Sequence, residues 1–288
     1  MPIECEKSHS IYVMKHIIRK ILWLVYAFVL GQGIFKLYGL FCGGARNLLD
    51  TGNVAAGILV TVGGVAALLA VYVLAVRLVE RRWASELSAP KIPKSLAIGC
   101  GTGAFVLVGT AAVMALLGSY RIESVGLQDW KALLFYLPFF LMVGVGEELV
   151  FRGLLFRIID EQWNTVAACV ISALLFGFIH ITSPGATVWS SIAIAVEAGV
   201  LETLIYKRTG SLWTAIGLHW AWNFFQGPVL GCRVSGVDFG ARIITSVVSG
   251  PDITTGGTFG PEASWIAIVM SLIPLVWLCR RGVSGLRS

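Results

Sequence analysis

The sequence predicts an all-α fold: a polytopic membrane helix bundle with about eight transmembrane helices. Three observations predict it. The 288 residues are 57% hydrophobic and 13% charged, whereas an ordinary soluble domain carries about 25% charged residues; the mean hydropathy is +0.81. Apolar runs of near-spanning length recur at 21–44, 54–76, 96–118, 131–158, 165–182, 187–206, 211–229 and 264–279. About 20 such residues cross a bilayer as a helix, which satisfies its own backbone hydrogen bonds. Lys and Arg also alternate between the connecting segments. With the N-terminus inside, sixteen fall on inner segments and five on outer ones, as the positive-inside rule requires. Both termini are then cytoplasmic, and the cell (plasma) membrane is the expected location.

Residues 1–20 form a charged leader. Lys15, Arg19 and Lys20 precede the apolar run from Ile21, as in a signal peptide. The apolar stretch resumes through Phe41, however, so the run reads as an uncleaved first span. The next two spans are joined by VRLVERRWASELSAPKIPKS (76–95), an inner loop that Glu80, Arg81 and Arg82 would anchor. The net charge of +6 does not point to nucleic acid, because the basic residues sit at span ends and form no separate domain. Six scattered cysteines without a Cys-x-x-Cys pair argue against a disulfide framework and a thiolate metal site.

The fourth run is interrupted by GEELVFRGLLF (146–156). Charges in hydrocarbon cost at least a few kcal/mol, so their placement needs a reason. Glu148 and Arg152 are four apart with the acid first, the favourable order for a helical ion pair. Glu147 points about 100° away and has no partner on its own helix. The fifth run ends FGFIH, with Phe176 and His180 on one face, and the seventh contains HWAWN, with His219 and Asn223 on one face. Counted from the inner helix ends, Glu147, His180 and His219 lie at depths of about 20, 25 and 18 Å at about 1.5 Å per residue. They can therefore meet near mid-bilayer. In the sixth run Glu202 is near enough to Lys207 to reach the inner interface. Glu197 is deeper, about 140° away on an α-helix, and is a candidate to line the cavity. The 228–263 stretch is a long outer loop rich in Gly, Ser and Thr, with no evident strand or helix pattern. It reads equally as a floppy surface loop or as a segment with a role.

Glu147-Glu148-x-x-x-Arg152, then Phe176-x-x-x-His180, then His219-x-x-x-Asn223, each on an expected span, resemble the CPBP family, the intramembrane proteases that include the CAAX prenyl endopeptidases. LVFRGLLFR and KRTGSLWTAIGLHWAWNF around the motifs agree. The resemblance covers about 130–240 and implies an organisation of leader (1–20), N-terminal transmembrane helices (21–130), catalytic helical core (131–240), and outer loop with last span (241–288). It implies that Glu147 activates a water with help from His180. His219 and Asn223 would either bind a divalent metal or stabilise an oxyanion; Glu148, Arg152 and Phe176 would orient and support. Zinc held by His180 and His219 and a metal-free glutamate mechanism are equally allowed. The implied partners are a membrane peptide or protein substrate, prenylated or not, and the lipid bilayer. The alternative is a non-enzymatic bacteriocin-immunity or peptide-binding membrane protein using the same polar core. A transporter is disfavoured by the lack of inverted repeats or paired broken helices.

Overall fold

The computed structural model describes residues 2–127 and 129–280, with side chains from Met14 onward. His9 and Cys5 therefore lie outside the described side chains. Every apolar run is helical. The leader and first span form one helix, α1 (Pro2–Asp50). α2 (Val54–Glu80), α3 (Ala89–Leu116), α4 (Trp130–Gln162), α5 (Thr165–Thr182) and α6 (Val188–Thr209) follow. Together with α1, these make six helices long and apolar enough to cross a membrane among the described residues. The last two runs are shorter helices than the expectation of eight spans required. α7 (Leu212–Phe224) carries His219 and Asn223 and passes into a π-helical turn, Phe225–Val229, that contains Pro228. α8 is Trp265–Arg280.

Local chemistry sets several of the helix starts. Asn53, Asp129 and Asn164 each accept a hydrogen bond from the backbone N–H three residues on, and Thr187 and Ser190 form a reciprocal capping box at α6. Such caps satisfy donors that the first turn leaves unpaired. Buried residues make up 78% of the apolar window of α4, against 17% for α1, so α4 is the central helix and α1 is largely a lipid-facing one.

α3 lies directly on α7. A Cβ on Gly99 would meet the Thr214 carbonyl oxygen at 2.1 Å, and one on Gly103 would meet that of Leu218 at 2.5 Å. Small residues of this kind let membrane helices approach backbone to backbone. Gly99→Val forces the helices apart, and overpacking of this sort costs about 1–3 kcal/mol or more. A lowered thermal midpoint in detergent is the expected result, with α7 and its polar residues displaced.

At the end of the bundle expected to be the inner one, a charged network replaces the simple anchor. Glu80 pairs with Arg82 and with Arg157 of α4, both at 2.7 Å, and Arg82 pairs with Glu86 at 2.8 Å. Tyr72 Oη of α2 lies 2.5 Å from Glu86. Burial alone would raise the Glu86 carboxyl, but hydrogen bonds from Arg82 and Tyr72 outweigh it and hold the group below its ordinary 4.5.

The 228–263 segment is ordered, which decides between its two readings against the floppy one. β2 (Ile244–Val248) pairs antiparallel with β1 (Tyr120–Val125), Tyr120 opposite Val248. Tyr120 and Tyr136 donate to the carbonyls of Leu230 and Phe239 at 2.8 and 2.7 Å, and Trp189 donates to that of Ala263 at 2.8 Å. Phe239 packs against Tyr136 and Phe140, with ring centroids 5.3 and 4.8 Å apart. The segment is a fastened roof over one end of the bundle.

Candidate active site

Beneath this roof is a cavity of about 270 Å³ whose walls include Glu147, His180, His219 and Asn223. Three helices supply them: α4, α5 and α7. Both α4 and α7 widen into π-helical turns just past these residues, at Leu149–Phe156 and Phe225–Val229, a distortion common at functional sites.

Glu148 and Glu147 diverge as their spacing requires. Glu148 is fully buried, and its Oε1 accepts from Arg152 Nη1 at 2.8 Å. Arg152 is fully buried as well. Its Nη2 lies 3.0 Å from Glu202 Oε2 and donates to the Gly199 carbonyl at 3.1 Å. The guanidinium also lies over the Phe176 ring, 4.4 Å from its centroid. Phe176 thus supports Arg152 on one side and neighbours both imidazoles, at 5.2 Å from the His180 ring and 6.0 Å from that of His219.

Hydrogen bonds set the tautomers of the two histidines. His219 Nδ1 is 3.0 Å from Glu148 Oε1. That oxygen already accepts from Arg152, so Nδ1 is the donor. His180 Nδ1 is 2.8 Å from the Phe176 carbonyl oxygen, which can only accept. In the neutral form of each ring, Nε2 is then the unprotonated acceptor. His219 Nε2 is 3.9 Å from Glu147 Oε2, and Glu147 Oε2 has no hydrogen-bond partner. The gap is too long for a direct bond and suits one bridging water. Asn223, one turn beyond His219, is buried and faces the same space.

Two expectations need correction. His180 is not deep in its helix: the α-helical part of α5 stops at Ile179, and His180 opens a tighter turn through Thr182 at the roof end. Nor does Glu202 reach the inner interface. Lys207 pairs with Asp160 at 2.5 Å instead, and Glu202 turns inward, 3.6 Å from His219 Nδ1. The stretch Ala195–Val200 just before Glu202 is π-helical. Its i→i+5 hydrogen bonds widen the turn beyond about 3.6 residues, which brings positions 197 and 202 closer to one face than α geometry would. Glu197 and Glu202 both line the cavity.

Glu148, Glu202 and His219 bring one ligand atom each within 4.8 Å of one another, a spacing that could hold a metal ion. Sequence reasoning missed Glu262, Tyr38, Cys42 and Arg46, which also line the cavity. They come from α1 and the roof, where no motif marks them. Burial pushes the Glu262 carboxyl above its ordinary range.

Residues 129–225 match the family model described as Rce1-like, type II CAAX prenyl endopeptidase. The matched segment contains all seven motif residues and excludes α1, α3 and the roof. It supports the resemblance to CPBP intramembrane proteases and indicates a protease of the intramembrane CAAX type. No curated protein and no solved structure matches the chain significantly.

Proposed function

We propose that this membrane protein, with its Rce1-like segment at residues 129–225, is an endopeptidase that hydrolyses membrane peptides with a water activated by Glu147. One observation carries the reading: a carboxylate oxygen without a hydrogen bond faces an imidazole Nε2 at 3.9 Å across a buried cavity. Glu147 takes a proton from the water as general base, while Nε2 of His180 and His219 orient it. The water oxygen attacks the peptide carbonyl carbon. Asn223 Nδ2 donates to the oxyanion that forms. When the C–N bond breaks, Glu147 returns its proton to the leaving amine.

The donor chemistry favours the metal-free scheme. Glu148 and Glu202 already face the Arg152 guanidinium at 2.8 and 3.0 Å, so a dication among them would confront a fixed positive charge. Glu147 with the two free Nε2 atoms is the other donor set, of a kind zinc takes; an ion there would act as a Lewis acid on the attacked carbonyl. The test is cleavage of a panel of apolar peptides, prenylated and not, by the purified full chain with and without chelator. Cleavage that persists in chelator is the expected result. Loss of cleavage with recovery on added zinc would move the mechanism to the metal.

With both termini inside, as the basic residues suggest, the roof and the cavity mouth face the outer side of the cell membrane. Substrates would then be membrane-anchored or secreted peptides presented there.

A further inference from the structure

Two acids on the cavity wall have no part in the chemistry above. Glu197, on the π-helical stretch of α6, is fully buried and lines the cavity, and neither of its oxygens has a hydrogen-bond partner. Glu262 comes from the roof and is 3% exposed. Its Oε2 accepts from Trp222 Nε1 at 3.2 Å, and its Oε1 accepts from the Ser235 backbone N–H. Both carboxyls belong to residues that line this one cavity. Neither is paired with a cation in the described residues: Arg152 is engaged by Glu148 and Glu202, and Arg46, on the same cavity, lies 5.7 Å from the Phe239 ring centroid.

A buried carboxylate with neither donor nor cation, as at Glu197, is costly, and an entering cation relieves that cost; Glu262 has two donors but no cation. Phe139, Phe140, Val143 and Val234 line the same cavity and suit the aliphatic stem of a long basic side chain, whose head would then reach the carboxyls. We propose that Glu197 and Glu262 form a specificity subsite for a lysine or arginine side chain of the substrate peptide. The identity of the ligand as a peptide rests on the endopeptidase reading; the preference for a cation rests on the two acids alone.

Binding to the full chain carrying Glu147→Gln tests this, because the variant removes the other cavity acid that no arginine holds, Glu202 being paired with Arg152. Fluorescently labelled apolar peptides are compared in pairs that differ only by lysine or norleucine, with the position moved along the peptide. At one position lysine should bind about tenfold tighter or more, the size expected of a charged hydrogen bond. Adding Glu197→Gln or Glu262→Gln should bring the ratio toward one. Equal affinities at every position, no binding of either peptide, or a ratio indifferent to both substitutions overturns the subsite. With Glu147 restored, a persisting lysine preference without cleavage overturns the hydrolase reading alone. Cleavage without any preference overturns the subsite alone.

Discussion

Glu147→Gln is expected to remove peptide cleavage while leaving the protein folded. The amide matches the carboxylate in shape but cannot accept the water's proton, and general-base catalysis contributes roughly 10²- to 10⁴-fold. Activity should fall by at least that factor. The fold should persist because Glu147 Oε2 accepts no hydrogen bond and, among the described residues, the nearest basic group to it is His219 at 3.9 Å. Size-exclusion behaviour and helical circular dichroism check the fold, and peptide hydrolysis checks the chemistry. His180→Ala should lose activity similarly, since it removes a free Nε2 from the cavity and no ion pair from the core. Full turnover by the Glu147→Gln protein would reject the proposed base.

Arg152→Leu is expected to produce the largest loss of stability of any single change in the bundle. The guanidinium is fully buried between Glu148 and Glu202, at 2.8 and 3.0 Å, and also donates to the Gly199 carbonyl. Removing one member of a buried ionic group leaves uncompensated charge, which costs about 3–5 kcal/mol. Arg152→Lys should rescue little, because an ammonium lacks the planar fork that meets both carboxylates at once. Adding Glu148→Gln and Glu202→Gln to Arg152→Leu should recover much of the midpoint without activity, since His219 then loses the carboxylate that orients it. Thermal unfolding in detergent separates these variants. A midpoint unchanged in Arg152→Leu would mean that the cluster contributes nothing to stability.

The three motif helices were legible because their signals are local. The i, i+4 spacing of Glu148 and Arg152 predicted their pair, and a 100° rotation predicted that Glu147 would stand apart. The reading failed where geometry departs from 3.6 residues per turn or where contacts are remote in sequence. Nearness to Lys207 points Glu202 to the interface, but Lys207 pairs with Asp160, and the separation of about 140° that α periodicity puts between Glu197 and Glu202 fails because Ala195–Val200 is wound as a π-helix. The tighter turn at His180 is not legible because nothing in FGFIHIT announces where the α-helical turns end. The roof escaped notice because β2 finds its partner at Tyr120–Val125, more than a hundred residues upstream. Its two strands are short, with a shift in register between Ile122 and Ser124. Glu262, held by Trp222 and Ser235, has no periodic neighbour that could have marked it.

The fastened outer segment has an evolutionary corollary. Val234, Val237, Phe239 and Glu262 face the chamber, yet they belong to a stretch separate from the helices that bear Glu147 and the imidazoles. On the proposed endopeptidase function, replacing that stretch alone would change which peptides are admitted and leave bond-breaking intact. Lineages could then retarget the molecule by editing one connecting segment, without rebuilding the helices around it.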